Sequence, residues 1–209
     1  MIVVIDYGMG NLGSIINMLR KFGTEVMLSS RPDDLLPADR LILPGVGAFD
    51  AGMRNLRQMG YLDILNHKVI QERTPILGIC LGMQLFSRCS EEGLEPGLGW
   101  IDAETIRFRF SDANQKLKIP HMGWNTVRAS KETPLFSNPE QEKRFYFVHS
   151  YHVRCNNSRD ILTTTNYGFE FTSAVSCGNI LGTQFHPEKS HRFGLEFFKA
   201  FLARDPSSP

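Results

Sequence analysis

The sequence predicts an α/β fold. A single-domain three-layer sandwich is expected, with a largely parallel central sheet, an added antiparallel or mixed sheet in the second half, and a nucleophile elbow at a strand end. Three observations predict it. The first half alternates short apolar runs with helical repeats, the pattern of right-handed βαβ units. From about Trp100 onward, short strand-like runs and turn dipeptides dominate. One apolar run closes on a cysteine flanked by glycines two residues before and two after, Gly78-Ile79-Cys80-Leu81-Gly82. The domain is expected over residues 1–203, followed by a frayed tail at 204–209.

Taken in order, residues 2–5 form a continuous apolar run, as expected for a strand covered on both faces. Asp6-Tyr7-Gly8-Met9-Gly10-Asn11 is a glycine-bearing turn. Leu12, Ile15, Ile16, Leu19 and Phe22 recur at helical spacing, and Gly23 stops the helix. Residues 25–28 and 40–43 read as the second and third strands, the third closed by Pro44. Residues 53–59 and 62–72 read as helices. Residues 76–79 read as the strand beneath Cys80, and 81–88 as the helix after it. Further strands are expected at 101–108, 145–149, 161–165, 171–175 and 179–185. Turn signals separate them at Asn156-Asn157, Tyr167-Gly168 and Cys177-Gly178. A closing amphipathic helix is expected over 192–203, carrying Phe193, Phe197 and Phe201.

Composition excludes several function classes. Apolar residues at 42% and charged residues at 22% are ordinary for a globular chain with a large core. The 23 basic and 22 acidic residues nearly cancel, so no basic face asks for nucleic acid and no Lys/Arg run for a membrane surface. No apolar run approaches the roughly 18 residues of a spanning helix, and the N-terminus enters a strand pattern without a basic leader. Cys80, Cys89, Cys155 and Cys177 form no C-x-x-C pair and no zinc spacing, so no metal is expected. With one of them a candidate reactive thiol, the expected compartment is the reducing cytoplasm. There is no G-x-G-x-x-G and no P-loop, so no nucleotide cofactor is expected.

The elbow carries the chemistry. A sharp strand-to-helix turn needs small neighbours, because a β-carbon there would clash with the nucleophile's backbone. The thiol is thereby presented at the carboxyl end of a sheet, close to a helix N-terminus whose dipole favours thiolate. Among six histidines, His186 stands out in Gln184-Phe185-His186-Pro187-Glu188, at the end of another apolar run. Pro187 pushes His186 into extended backbone, where residues i and i+2 share a side. Glu188 can then hold one imidazole nitrogen while the other faces a thiol, the logic of nucleophile, base and orienting acid. Pro44-Gly45-Val46-Gly47 follows the third strand, and its glycines let backbone N–H groups approach a developing oxyanion. The amide after the nucleophile, that of Leu81, is the second natural donor.

Gly78 to Gln84 together with His186-Pro187-Glu188 resembles the triad-type (class I) glutamine amidotransferases. Asp6 to Asn11, Pro44 to Gly47, Pro120-His121-Met122-Gly123-Trp124-Asn125, Tyr146 to Tyr151 and Gln184 to Ser190 are similar to the branch that serves imidazole glycerol phosphate synthase. The resemblance spans residues 1 to about 203. It implies hydrolysis of glutamine, with Cys80 as nucleophile, His186 as general base and acid, and Glu188 as orienting carboxylate. It implies glutamine-binding positions at Gly47, Gly82, Gln84, Ser150 and Tyr151, with Val46 in the oxyanion loop and Asn11 and Trp124 facing a partner. That partner is a (β/α)₈-barrel cyclase in a heterodimer, which uses the ammonia in histidine biosynthesis to make imidazole glycerol phosphate and AICAR. No organic cofactor is implied. Two alternatives stay open: the same chemistry serving another acceptor, such as an amidine-forming sugar pathway, and a stand-alone cysteine hydrolase.

Overall fold

The structure is a computed structural model that describes residues 1–111, 117–136 and 142–204. Five strands run parallel: β1 (Ile2–Ile5), β2 (Val26–Ser29), β3 (Arg40–Gly45), β4 (Ile76–Cys80) and, from the far end of the chain, β11 (Ile180–Thr183). Between them lie α1 (Leu12–Arg20), α2 (Phe49–Gln58), α3 (Tyr61–Asn66) and α4 (Leu81–Gln84), and α5 (His191–Ala203) closes the fold. The second half contributes β5 (Ala103–Arg107), β6 (His121–Ala129), β7 (Lys143–His149), β8 (Tyr151–Cys155), β9 (Ile161–Asn166) and β10 (Glu170–Cys177). The order is β2-β1-β3-β4-β11-β10-β9-β6-β7, with β8 pairing β10 and β5.

The second-half strands therefore extend the parallel sheet. Antiparallel pairing begins where β10 meets β11, and β4 and β11 at the centre join the two halves. Period-two alternation explains the three layers. Ile2 and Val4 face α1 and α5 through Ile15, Leu19, Phe197, Phe198 and Phe201, whereas Val3 and Ile5 face α2 and α3 through Phe49, Leu56, Tyr61 and Leu65. Both faces of β1 are covered, which is why the run is continuously apolar.

Several boundaries differ from the pattern-based expectation. The expected helix at 62–72 is α3 followed by a π-type stretch, His67–Gln71, and left-handed Gly60 (φ +75°) separates α2 from α3. The expected helix at 81–88 ends after Gln84. The Ser87 hydroxyl donates to the Gln84 carbonyl at 2.7 Å, and the Arg88 N–H is taken by the Ala103 carbonyl at 2.9 Å. Strands β6 and β8 lie where none was expected. β6 keeps only His121 and Val127 buried, so its apolar alternation is too sparse to read. β8 follows β7 after Ser150 alone, so the two strands read as one segment.

Arg204 donates to the Gly178 carbonyl at 2.8 Å and accepts from Arg40 at 2.6 Å. The rest of the expected tail, 205–209, lies outside the described residues. Among the described residues, no helix is long and apolar enough to cross a membrane.

Topology gathers chain segments at one edge. The turns after β1, β3, β4 and β11 leave the carboxyl ends of parallel strands. β6 runs antiparallel to β9 and β7 antiparallel to β6. The start of β6 and the end of β7 therefore reach that same edge.

Candidate active site

Cys80 ends β4 with φ 55° and ψ −107°, a conformation that a side chain avoids unless its surroundings enforce it. Close packing enforces it here. A β-carbon at Gly82 would collide with the Leu43 carbonyl oxygen, and one at Gly78 would lie 2.7 Å from the Met83 nitrogen. The elbow thus packs against β3 at Gly82 and closes onto its own following turn at Gly78 only because both residues lack side chains. The thiol is buried, its sulfur 3.9 Å from the Val148 carbonyl and 3.6 Å from the Gln184 amide nitrogen. α4 is a single turn, so the helix dipole expected at Cys80 is a minor influence. The strained turn and the neighbouring histidine define the site instead.

His186 is held from three sides. Phe185 before it is fully buried, stacked on Phe145 with centroids 4.1 Å apart and edge-on to Phe197. The His186 N–H donates to the Tyr146 carbonyl at 2.9 Å. Ser190 Oγ donates to the His186 carbonyl at 2.6 Å and accepts the Tyr146 N–H at 3.0 Å. Glu188 accepts from His186 Nδ1 at 2.8 Å, both side chains almost fully buried. A short 3₁₀ turn, Pro187–Lys189, makes this contact, not the continuous extended chain expected.

With Nδ1 engaged, only Nε2 is left to interact with the thiol. Nε2 is buried without a well-aligned partner, and Cys80 is close enough to influence the ring's charge. Unliganded catalytic pairs are commonly misaligned in this way. Burial alone would strip the ring of its proton. The closeness of Cys80 and the hydrogen bond to Glu188, with the negative charge of both, outweigh burial and push the imidazole up to about 10. The ring lies between sulfur and carboxylate, surroundings that favour its protonated form.

The remaining expected residues take various places. Val46 and Gly47 are exposed just beyond β3, and Gly47 has φ +131° with Met9 Cε packed where its β-carbon would be. Leu81 and Gly82 are buried against β3, and the glycine is needed there for packing. Gln84 is buried, donating to Gln184 Oε1 at 3.0 Å and to the Tyr151 carbonyl at 3.1 Å. Ser150 and Tyr151 are half-buried at the β7–β8 junction. Asn11 is exposed ahead of α1 and makes no side-chain cap. Trp124 is not a core aromatic: it is 40% exposed and lies flat on His191, centroids 5.5 Å apart.

Gln184 was given no role from sequence. It receives Gln84 and donates to the sulfur, tying the elbow to the β7–β8 junction. Its spacing of two from His186 was the available signal, since both leave the same side of an extended strand end. Three other histidines are buried nearby. His121 Nδ1 and His149 Nε2 are 3.0 Å apart, and His149 Nδ1 donates to the Tyr151 carbonyl at 2.7 Å. His152 packs on Phe108 with both nitrogens unpartnered. Burial pushes His121 and His152 down to about 4.

Comparison with known proteins follows the same lines. The family model for glutamine amidotransferase class-I matches residues 3–204. The chain is 55% identical to imidazole glycerol phosphate synthase subunit HisH 2 of Methanococcus maripaludis, covering 97% of this chain and 98% of that one. It is 51% identical to the subunit HisH 2 of Pseudomonas aeruginosa over the same shares. In structure it resembles a chain of PurLQS from Thermotoga maritima at a TM-score of 0.71 and 17% identity, covering 97% of both, a likeness of fold. Matches of this extent in sequence lead to one conclusion: the chain belongs to the class-I glutamine amidotransferase family, on the branch of the HisH subunits of imidazole glycerol phosphate synthase.

Proposed function

We propose that the chain hydrolyses glutamine to glutamate and ammonia through a Cys80–His186–Glu188 triad and hands the ammonia to a barrel cyclase. The observation that carries this reading is the buried His186 between the Cys80 thiol and Glu188, at the end of a strained elbow. Cys80, as thiolate with its proton on His186, attacks the carboxamide carbon of glutamine. Charge develops on the carboxamide oxygen, where the N–H groups of Val46 and Leu81 stabilise it, an effect of about 3–4 kcal/mol for a strong donor. The His186 imidazolium delivers its proton to the departing ammonia. The neutral imidazole then takes a proton from water, which attacks the glutamyl thioester and frees the sulfur. Glu188 keeps the ring oriented throughout and transfers no proton. Gly47, Gly82, Gln84, Ser150 and Tyr151 surround the glutamine. Gln84 and Gln184 already hold the carbonyl of Tyr151 and the sulfur in register.

The partner docks at the edge where the site opens. Val46 at 47%, Met122 at 62% and Trp124 at 40% exposure are large apolar side chains at that edge, and Asn11 belongs to the same face. Apolar groups in such a cluster are the anchors of an interface.

A second reading has one observation in its favour. The relatives at 55% and 51% identity are both numbered HisH 2. A numbered second copy can serve a different acceptor with unchanged glutaminase chemistry. Complementation separates the two. A bacterium lacking its own HisH subunit, grown on low ammonium without histidine, should be rescued by this chain together with its barrel partner. Glutaminase activity in the purified complex without rescue would assign the ammonia to another acceptor.

A further inference from the structure

Tyr7 is fully buried in the turn after β1, and its hydroxyl has no hydrogen-bond partner. Leaving a buried hydroxyl unpaired costs stability, so such a group is either a defect or one whose partner arrives later. Its position favours the second. A β-carbon added to Gly45 would lie 2.5 Å from Tyr7 Oη and 2.8 Å from the Leu81 β-carbon. The hydroxyl therefore sits directly against the last residue of β3, beneath the oxyanion loop and beside the elbow.

The Gly45–Val46 peptide is a rigid plane with its N–H and C=O pointing in opposite directions. Turning the Val46 N–H toward a reacting carbonyl oxygen sends the Gly45 carbonyl the other way, into the protein. A carbonyl turned inward needs a donor. We propose that Tyr7 is a positioning residue for the oxyanion loop, its hydroxyl donating to the Gly45 carbonyl when the Val46 N–H faces the substrate. Burial, and then the negative charge of Cys80, push the phenol well above its ordinary value, so it remains a neutral donor through the working pH range. The absence of a side chain at Gly45 leaves the space in which hydroxyl and carbonyl meet.

This inference rests on the glutaminase reading, and the test separates the two. Tyr7→Phe removes one oxygen and nothing else. Glutamate release is measured across glutamine concentrations for wild type and Tyr7→Phe, alone and with the cyclase subunit added, alongside thermal unfolding. The expected result is a kcat lower by about fivefold, the factor carried by an ordinary net hydrogen bond. The KM for glutamine should stay within about twofold, since the bond forms with the transition-state contact. The melting temperature should not fall, because the resting hydroxyl is unpaired. Unchanged kcat, or a loss that tracks a raised KM or a lowered melting temperature, overturns the proposal while the wild type still turns over. A wild type that releases no glutamate in either condition overturns the glutaminase reading and this inference with it.

Discussion

At the residue scale, catalysis depends on how few groups are free to move. Cys80 is fixed by a backbone that only Gly78 and Gly82 permit, and His186 by its neighbours Phe185, Tyr146 and Ser190. In the proposed triad Glu188 acts through His186 alone, so the two should respond unequally to substitution. His186→Ala should lower kcat nearly as far as loss of the nucleophile, by three orders of magnitude or more, because such groups act as a unit. Glu188→Gln should cost about ten- to a hundredfold less. It also removes one of the influences that hold the imidazole near 10, so the His186 titration followed by NMR should move down in that variant. Equal rate losses with both variants folded, or an unmoved titration, would reverse the assigned roles. Cys80 and His186 were legible in the sequence because each ends an apolar run, and Glu188 through its spacing of two from His186. Gln184 and Tyr7 were not, because a buried polar side chain shows its role only through the neighbour it meets.

At the element scale, the parallel half was legible and the antiparallel half only in outline. β1, residues 41–43 of β3, and β4 are apolar throughout because helices cover both faces, and continuous runs are hard to misread. β6 is illegible in the sequence because most of its side chains are partly exposed, and α4 is shorter than its pattern because Ser87 and Ala103 end it through tertiary contacts. The aromatic layer around Phe108 has a consequence of its own. It buries His121 and His152, whose affinity for protons drops from 6.5 to about 4. The unfolded chain takes up these protons from about pH 6.5 downward, and the folded chain does not until about 4. Their contribution to stability is therefore full above pH 6.5 and lost as pH falls toward 4. Neither ring nitrogen of His152 makes a well-aligned hydrogen bond. His152→Leu should hold or raise stability at neutral pH and recover about 1–3 kcal/mol at pH 4 relative to wild type. Denaturant melts at pH 7 and pH 4 measure this, and an unchanged pH slope would contradict it.

At the scale of the whole molecule, the sheet places the elbow, the loop after β3, the His186 segment and the exposed Trp124 at one edge, so the proposed docking face and the proposed triad share a surface. Trp124 lies flat on His191 with much of its ring still open, the setting of an interface anchor. Trp124→Ala should weaken association with the cyclase about tenfold to thirtyfold while the isolated chain keeps its melting temperature; unchanged affinity would move the docking face elsewhere. The glycines of the oxyanion loop make its peptides easy to turn, so partner binding should raise kcat far more than it lowers KM.

The central claim is that a glutamyl group is carried on Cys80. The most direct measurement is to mix the complex with radiolabelled glutamine, quench in acid within the first turnovers, digest, and locate the label by mass spectrometry. A glutamyl adduct is expected on the peptide containing Cys80 and absent from Cys80→Ala, which should also retain less than a few per cent of glutamate release while folding normally. Label on Cys89, Cys155 or Cys177, or substantial turnover by Cys80→Ala, would contradict it.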